Sequence, residues 1–360
     1  MTSTPVLHVD LDQFLAAVEV LRRPELAGLP VVVGGRGDPT QRAVVSTASY
    51  EARAHGVRSG MPLRTAAKKC PDAVFLPVDL PVYEEASAAV MATLRAARWA
   101  GDPVDVEVLG WDEAFVGLRP GADLTTDHDP MVFAEQLRAE VLAATGLHCS
   151  VGVGDNKLQA KIATDFGKPR GIYRLSDASW SAEMGHRPTR ALWGVGAKVQ
   201  QRLAGLGIDT VAQLAASDVR VLAAEIGPTM GPYYHRLGRG ADTSVVDPTP
   251  WVARAHGREE TFQDDLDDDA TIEAEVRRLT RRVVADIDAE GRPARRVGLK
   301  VRDRAFQTVQ RSRTLPEPTN DPDVLADAAV ALLGKVARTR PVRLLGVRLE
   351  MVEPPGGYER

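Results

Sequence analysis

The most constraining feature of this chain is an order of elements that occurs twice. In the first copy, Val6 to Leu11 reads as a buried strand. Asp12 stands as the cap of a helical pattern running through Phe14, Ala17, Val18 and Leu21. A helix near Tyr83 to Trp99, strands at Val104 to Leu109 and Ala114 to Leu118, a helix from Pro130 to Ala144 closed by Gly146, and a strand at His148 to Val153 follow. The short apolar and glycine-rich pieces after Pro24 (Leu29 to Gly35, Ala43 to Ala48) and a helix around Tyr50 to His55 look like a small insertion. Without them the order is strand, helix, strand, strand, helix, strand, the split βαβ arrangement. The second copy has a strand near Trp251 to Gly257, a helix from Thr271 to Ala289 closed by Gly291, and strands at Val297 to Arg302 and Phe306 to Arg313. It ends with a helix from Pro322 to Arg338 and a strand at Val342 to Met351. Two ferredoxin-like units are expected, with an all-helical region over 171–240 and a linker-like stretch, Asp242 to Pro250, between them.

A length of 360 residues implies more than one core. With 44% hydrophobic and 26% charged residues the chain is neither disordered nor collagen-like, and no apolar run is long enough to span a membrane. Met1 to Val9 lacks the basic and apolar regions of a signal peptide, and two cysteines, Cys70 and Cys149, make no disulfide framework. A cytoplasmic location is expected. The net charge of −4 hides a strong asymmetry. Glu259 to Asp269 holds seven acids and no base, whereas Arg292 to Arg313 holds eight bases against one acid, Asp303. The basic stretch suits a phosphate backbone.

Asp10 ends the first strand, and Asp112 with Glu113 lies in the hairpin between two later strands. The split βαβ order sets these strands side by side, so three carboxylates can converge. Crowded acids repel and raise one another's pKa unless a cation neutralises them, which points to divalent metal, two Mg²⁺ ions being the natural reading. Each acid alone could equally be a turn residue or a solvated hairpin tip. Thr47, Tyr50 and Arg53 fall at spacings of three, on one helix face or at its first turn, where phosphate is favoured; an ordinary surface helix would look the same. Lys161 and Lys168 lie on or just after a helix that would abut the hairpin, with Lys168-Pro169-Arg170-Gly171 reading as a turn. In the helical region, Leu192-Trp193-Gly194-Val195-Gly196, followed by Leu203, Leu206, Gly207, Ile208 and Leu214, fits a helix-hairpin-helix whose amides approach phosphate, or else a plain αα-hairpin. In Arg296 to Arg302, Val297, Leu299 and Val301 alternate with Arg296, Gly298, Lys300 and Arg302, giving one oily and one basic face. Arg311 and Arg313 on the next strand are expected to reinforce the basic one.

Together these residues resemble the Y-family translesion DNA polymerases, specifically the DNA polymerase IV branch, over almost the whole chain. Val9-Asp10-Leu11-Asp12-Gln13-Phe14 looks like the first metal motif of that family. Ser49-Tyr50-Glu51-Ala52-Arg53 with Gly56-Val57-Arg58-Ser59-Gly60-Met61-Pro62 looks like its fingers signature, and Asp112-Glu113-Ala114 like its second metal motif. Asn156-Lys157 through Lys168-Pro169 resembles its last palm motif, and Gly257 through Thr261-Phe262 the start of its little finger. The resemblance implies an α+β multidomain right-hand polymerase: ferredoxin-like palm (1–22 and 78–170), inserted fingers (23–77), helical thumb with a helix-hairpin-helix (171–240), linker (241–250) and βαββαβ little finger (251–360). It implies a DNA-directed DNA polymerase acting by two-metal nucleotidyl transfer. Asp10, Asp112 and Glu113 would hold Mg²⁺, with Mn²⁺ as a substitute and the Leu11 carbonyl as a further ligand, while Asp12 would be structural. Thr47, Tyr50, Arg53 and Lys168, with amides near Gln13 and Phe14, would hold the triphosphate; Ser46, Gly60 and Met61 would lie against the nascent base pair. DNA contacts are expected from Gly194, Val195, Gly196, Lys198, Arg296, Lys300, Arg302, Arg311 and Arg313. Oligomeric state is not readable from the sequence, and a monomer in a one-to-one complex with primer-template DNA is the default expectation.

The departures from the family pattern carry expectations of their own. The residue after Phe14 is usually a bulky aromatic that excludes a 2′-hydroxyl; here it is Leu15, which implies ready use of ribonucleoside as well as deoxynucleoside triphosphates, unless leucine fills the same space by repacking. Gly110-Trp111 and Gly117 replace more usual residues without removing a ligand. The tail from Leu345 through Pro354-Pro355-Gly356-Gly357 lacks a glutamine-led hydrophobic peptide, so clamp tethering and processivity should be weak, which a pull-down with a sliding clamp through residues 350–360 tests. The rival functions are a catalytically silent DNA-damage scaffold, which typically loses the acids, and a nucleotidyl cyclase, which leaves the helix-hairpin-helix and basic sheet without a role. DNA dependence of triphosphate turnover separates them.

Overall fold

The computed structural model describes residues 4–119 and 128–358. Met1 to Ser3 of the N-terminal reading and the last two residues of the tail lie outside them. In chain order the elements are β1 (Val6–Leu11), α1 (Phe14–Arg22), β2 (Val31–Val33), β3 (Thr47–Ala48), α2 (Tyr50–Ala54), α3 (Leu63–Lys69), β4 (Val74–Leu76) and α4 (Leu80–Ala96). Then come β5 (Arg98–Trp99), β6 (Asp102–Val108), β7 (Glu113–Leu118), α5 (Pro130–Thr145), β8 (Cys149–Gly154), α6 (Lys157–Gly167), β9 (Ile172–Leu175) and α7 (Asp177–Met184). The helices α8 (Ala197–Ala204), α9 (Val211–Ala216), α10 (Val219–Ile226) and α11 (Met230–Gly238) precede the last six elements. These are β10 (Ala255–Leu266), α12 (Asp269–Glu290), β11 (Ala294–Asp303), β12 (Thr308–Thr319), α13 (Pro322–Leu333) and β13 (Val342–Met351). Two compact units result: Met1–Val33 with Ser46–Ser59 and Asp72–Pro250, and Gly34–Val45 with Gly60–Pro71 and Trp251–Arg360.

The first unit is built on a six-stranded sheet in the order β5-β6-β7-β1-β8-β9. Its inner four strands have the ferredoxin-like order expected from the sequence. Leu7, Val9 and Leu11 alternate onto one face and pack with Phe133, Leu137 and Val141 of α5 and with Tyr83, Val90 and Leu94 of α4. Gly146 ends α5 in the left-handed conformation at φ 71°, as the sequence requires. The other face is covered by α6, whose outer side (Leu158, Ile162) joins the helical core of Trp180, Met184, Leu203 and Leu214. The stretch after α11 is seated on the sheet as well. The amide of Asp247 donates to Glu107 at 2.9 Å, and a Cβ at Gly117 would come within 3.0 Å of Val246, so glycine there leaves room for the chain to cross.

The second copy of the element order folds differently from the ferredoxin-like expectation. Its sheet runs β10-β13-β11-β12, so the fourth strand of the copy, and not the third, lies between the first two. Composition explains the exchange: β12 is polar and carries Pro316 and Pro318, which suit an edge, whereas β13 supplies Val342, Leu345, Val347 and Leu349 to the core. The strand expected at Trp251 to Gly257 instead spans Ala255–Leu266 and takes in part of the acidic run, tolerable on an exposed edge. Phe306 lies in the turn before β12, at φ 64°. The helix expected to reach Arg338 ends at Leu333, and the one expected at Tyr83 to Trp99 runs Leu80–Ala96, leaving Arg98–Trp99 as a short strand.

Candidate active site

Register decides which side chains meet on the α6-facing side of the palm sheet. Asp10 pairs with Glu113 on one side and Ser150 on the other. One step along the same face, Glu107, Phe115, His8 and Gly152 form a row across β6, β7, β1 and β8. Gly152 has no side chain because the helix is there: a Cβ would lie 2.0 Å from the Ala160 carbonyl oxygen. This close seat lets four residues of α6 and its C-cap, spaced four, three and four apart, reach down onto the sheet. Lys157 pairs with Glu107, Lys161 with Glu113, Thr164 Oγ1 lies 2.8 Å from His8 Nδ1, and Lys168 Nζ is 2.8 Å from Asp10. Lys157, His8, Thr164 and Ser150 are the residues that sequence reasoning missed. The available signal was period two, which puts His8 on the face of Asp10.

The electrostatics of the three acids differ. Burial and the neighbouring charge of Asp112 raise the pKa of Asp10 against the pull of Lys168. Burial, then repulsion from Glu113, raise that of Asp112. Glu113 goes the other way, down to about 2, through its contact with His8 and then with Lys161. Among the described residues, no three acidic, histidine or cysteine side chains already converge as a metal site; lysines engage two of the acids. The donor set is nonetheless all carboxylate oxygen, and burial, with repulsion between the acids second to it, pushes Asp10 and Asp112 toward the neutral acid. Both properties fit a hard divalent cation.

Asp12 does not cap α1, as the sequence suggested. Gln13 takes the cap position in the left-handed conformation (φ 47°), and the buried Asp12 carboxylate accepts hydrogen bonds from Tyr50 Oη (2.5 Å), Ser150 Oγ (3.1 Å) and the Arg170 amide (2.9 Å). Asp12 thus ties α2, β8 and the turn after α6 together. Tyr50 is kept protonated by burial and by Asp12, and its amide donates to the Gln13 side chain at 2.6 Å. Arg53 donates through Nε to the Ala48 carbonyl at 2.9 Å, with its guanidinium 5.2 Å from the Tyr50 ring. Thr47 lies in β3 and not on the helix face with Tyr50 and Arg53. Leu15 is 8% exposed and belongs to the palm core with Phe14. Trp111, beside Asp112, is 42% exposed.

Comparison with known proteins decides the family. A sequence model described as the impB/mucB/samB family matches residues 9–165, its C-terminal domain matches 253–359, and one described as DNA polymerase-iota, thumb domain, matches 190–242. The chain is 50% identical over 347 residues to DNA polymerase IV 2 of Mycobacterium tuberculosis, covering 96% of this chain and 97% of that protein. It is 41% identical over 358 residues to DNA polymerase IV of Methanoculleus marisnigri, covering 99% and 96%. The chain belongs to the Y family of DNA polymerases. A solved Y-family chimera, Dbh-Dpo4(243-245)-Dbh, matches at TM-score 0.83 and 25% identity over 96% of this chain and 98% of that one. An insertion ternary complex of Dbh DNA polymerase matches at TM-score 0.64 and 25% identity over 97% and 99%. As a member of the DNA polymerase IV branch, the chain is a DNA-directed DNA polymerase of translesion synthesis.

The remaining residues expected from sequence fall in several parts of this polymerase. In the thumb, Gly194 is left-handed at φ 90°, Val195 is buried, Gly196 caps α8, and Lys198 is exposed in its first turn. Trp193 lies 6.0 Å from Phe115 of the palm, with Lys161 over its ring. Ser46 lies just before β3, its amide bonded to the Val33 carbonyl at 2.8 Å. In the second unit, the Gly60 amide and Met61 carbonyl bond to Val45 at 2.8 Å. The little-finger sheet carries Arg296, Lys300 and Arg302 on its outer face, as expected. The register pairs Arg311 and Arg313 with Leu299 and Val297, so their side chains alternate away from that face, although Arg311 still borders its concavity. Gln310 and Ser312 sit there instead, and Arg348, opposite Gly298, adds the charge. The face is concave, with a volume of about 480 Å³ and Gly257, Gly298 and Gly346 in its lining. Among the described residues, no helix is long and apolar enough to cross a membrane.

Proposed function

We propose that this polymerase extends a primer 3′-hydroxyl by two-metal nucleotidyl transfer and that its sugar gate is open enough to admit ribonucleotides. The observation that carries the first part is the pairing of Asp10 with Glu113 across adjacent strands, with Asp112 beside them, its carboxyl pushed toward the neutral form by burial and then by Glu113. Asp10, Asp112 and Glu113 would hold two divalent cations, Mg²⁺ by their oxygen chemistry, which when bound lower the pKa of the hydroxyl and neutralise charge at phosphorus. Lys168, the C-cap of α6, sits on Asp10, and Tyr50 of α2, with Arg53 over its ring, bonds the neighbouring Asp12; these three bind and orient the triphosphate. Primer-template DNA lies along the thumb hairpin at Gly194, Val195, Gly196 and Lys198. It also follows the outer sheet face at Arg296, Lys300, Arg302 and Arg348, where cations track its phosphates.

Leu15 supports the second part. It sits one residue after Phe14 at the start of α1, where a branched aliphatic side chain presents less bulk than an aromatic ring to a 2′-hydroxyl. Discrimination of this steric kind is worth only about 1–3 kcal/mol, or roughly 10- to 200-fold. Primer extension on a defined template with Mg²⁺ tests both parts. Wild type should add deoxy- and ribonucleotides, Asp112→Ala neither, and Leu15→Phe should lose ribonucleotide addition selectively. Binding without extension by wild type would overturn the first part in favour of a scaffold, and unchanged ribonucleotide use in Leu15→Phe would overturn the second.

A further inference from the structure

His8 lies on β1 two residues before Asp10, 1% exposed and edge-on to Phe115 at 5.0 Å between ring centroids. A leucine or phenylalanine would fill this volume without the cost of burying two ring nitrogens, so the imidazole needs a polar reason to be here. Its Nδ1 is 2.8 Å from Thr164 Oγ1, and its Nε2 is 3.3 Å from Glu113 Oε2 and 3.3 Å from Lys161 Nζ. Thr164 has one hydroxyl proton and three acceptors in reach: Nδ1, the Ala160 carbonyl at 3.0 Å and the His8 carbonyl at 3.2 Å. The Ala160 carbonyl accepts the helical amide of Thr164 and has a second lone pair for the hydroxyl, in competition with Nδ1. With the hydroxyl donated to Nδ1, the ring proton sits on Nε2, facing Glu113. The opposite tautomer would accept from Lys161 at Nε2 but set the same lone pair against a carboxylate.

We infer that His8 is a positioning residue for the Glu113 carboxylate: its Nε2–H, fixed by Thr164 on the far side of the ring, holds Oε2 and presents Oε1 to a divalent cation. This rests on the metal reading proposed above. The role differs from that of Lys161, which touches the same oxygen. An ammonium neutralises Glu113 and repels an incoming cation, so its grip weakens the site as a metal ligand. A neutral imidazole orients the carboxylate and leaves its charge for the metal. Hydrogen bonds that orient metal-binding carboxylates typically carry 10- to 100-fold in affinity.

The test is Mn²⁺ binding, read by the loss of the free-ion paramagnetic resonance signal. The full-length protein is used in complex with dideoxy-terminated primer-template and a matching deoxynucleotide. Glu113→Gln should weaken one class of Mn²⁺ site. His8→Phe should weaken that same class by about 10- to 100-fold, while His8→Gln, whose amide N–H reaches the position of Nε2, restores most of the affinity. In steady-state extension, His8→Phe should raise the metal requirement and lower kcat while leaving the KM for deoxynucleotide in place. Wild-type Mn²⁺ affinity in folded His8→Phe, or equal losses in the phenylalanine and glutamine variants, would overturn the inference. If His8→Phe does not fold, Thr164→Val decides: it keeps the imidazole but frees Nδ1, and unchanged Mn²⁺ affinity in it would overturn the inference. Should Glu113→Gln itself leave Mn²⁺ binding unaltered, the metal reading fails first, a distinguishable result.

Discussion

A single methyl group on the palm sheet should disable this polymerase. Gly152 in β8 faces α6, and a Cβ there would lie 2.0 Å from the Ala160 carbonyl oxygen, 2.3 Å from the Thr164 amide and 2.5 Å from the Thr164 hydroxyl. Two of the three obstacles are helix backbone, so nothing can swing aside, and in Gly152→Ala the whole of α6 must retreat by about 1 Å to regain van der Waals distance. That retreat acts at once on Thr164–His8 and Lys168–Asp10, both at 2.8 Å, and on Lys161–Glu113. Overpacking costs about 1–3 kcal/mol and each buried donor left unmatched about 1–3 kcal/mol more, for a loss of roughly 3–5 kcal/mol. At about 2–4 °C per kcal/mol the melting midpoint falls by roughly 6–20 °C. Catalysis suffers separately, since a displacement of about 1 Å in positioning groups costs on the order of 100-fold in rate. Thermal melting with single-turnover primer extension below the midpoint measures both, and Gly196→Ala, whose Cβ meets nothing within 4 Å, serves as the melting control. A Gly152→Ala protein that melts with wild type and extends primers at its rate would refute the claim that the seat of α6 sets the site.

Asp112→Asn should abolish extension while stabilising the metal-free protein by roughly 0.5–2 kcal/mol, because the wild-type carboxylate is held charged against burial and repulsion from Glu113. Its pKa is raised in the folded state, so the charge costs stability above that pKa and the cost fades as pH falls through it. The melting advantage of the variant should therefore be present at pH 8 and vanish on acidification, and equal midpoints at pH 8 would contradict it. On the little finger, Arg348→Ala should weaken primer-template binding and lower the slope of log affinity against log salt by about one phosphate contact, whereas Arg313→Ala should leave the slope nearly unchanged. Anisotropy titrations over a salt series separate the two, and equal slopes would show that DNA does not follow the outer sheet face.

The contrast between Arg348 and Arg313 shows where a sequence stops being legible. Alternation within β11 is local, fixed by the pleat, and Val297, Leu299 and Val301 were readable as one face without any partner strand. The face of Arg313 depends on how many residues the turn from Asp303 to Gln307 uses, and one residue of slip inverts every side chain on β12. The second sheet order was hidden for a related reason: element order is a property of the chain, but which strand lies at an edge follows from Pro316, Pro318 and the polarity around them, weighed against the apolar run of β13. Asp12 was misread because a cap is a local inference, whereas its three donors come from residues 38, 138 and 158 positions away. The acids of the site were findable, since strand ends and hairpins announce themselves. Among their partners Lys161 and Lys168 could be placed on a helix abutting the hairpin, but Lys157 and Thr164 become meaningful only once Gly152 lets that helix close on the sheet. A glycine in a strand reads in sequence as weakness; here it sets the distance between the carboxylates of the candidate site and the groups that hold them.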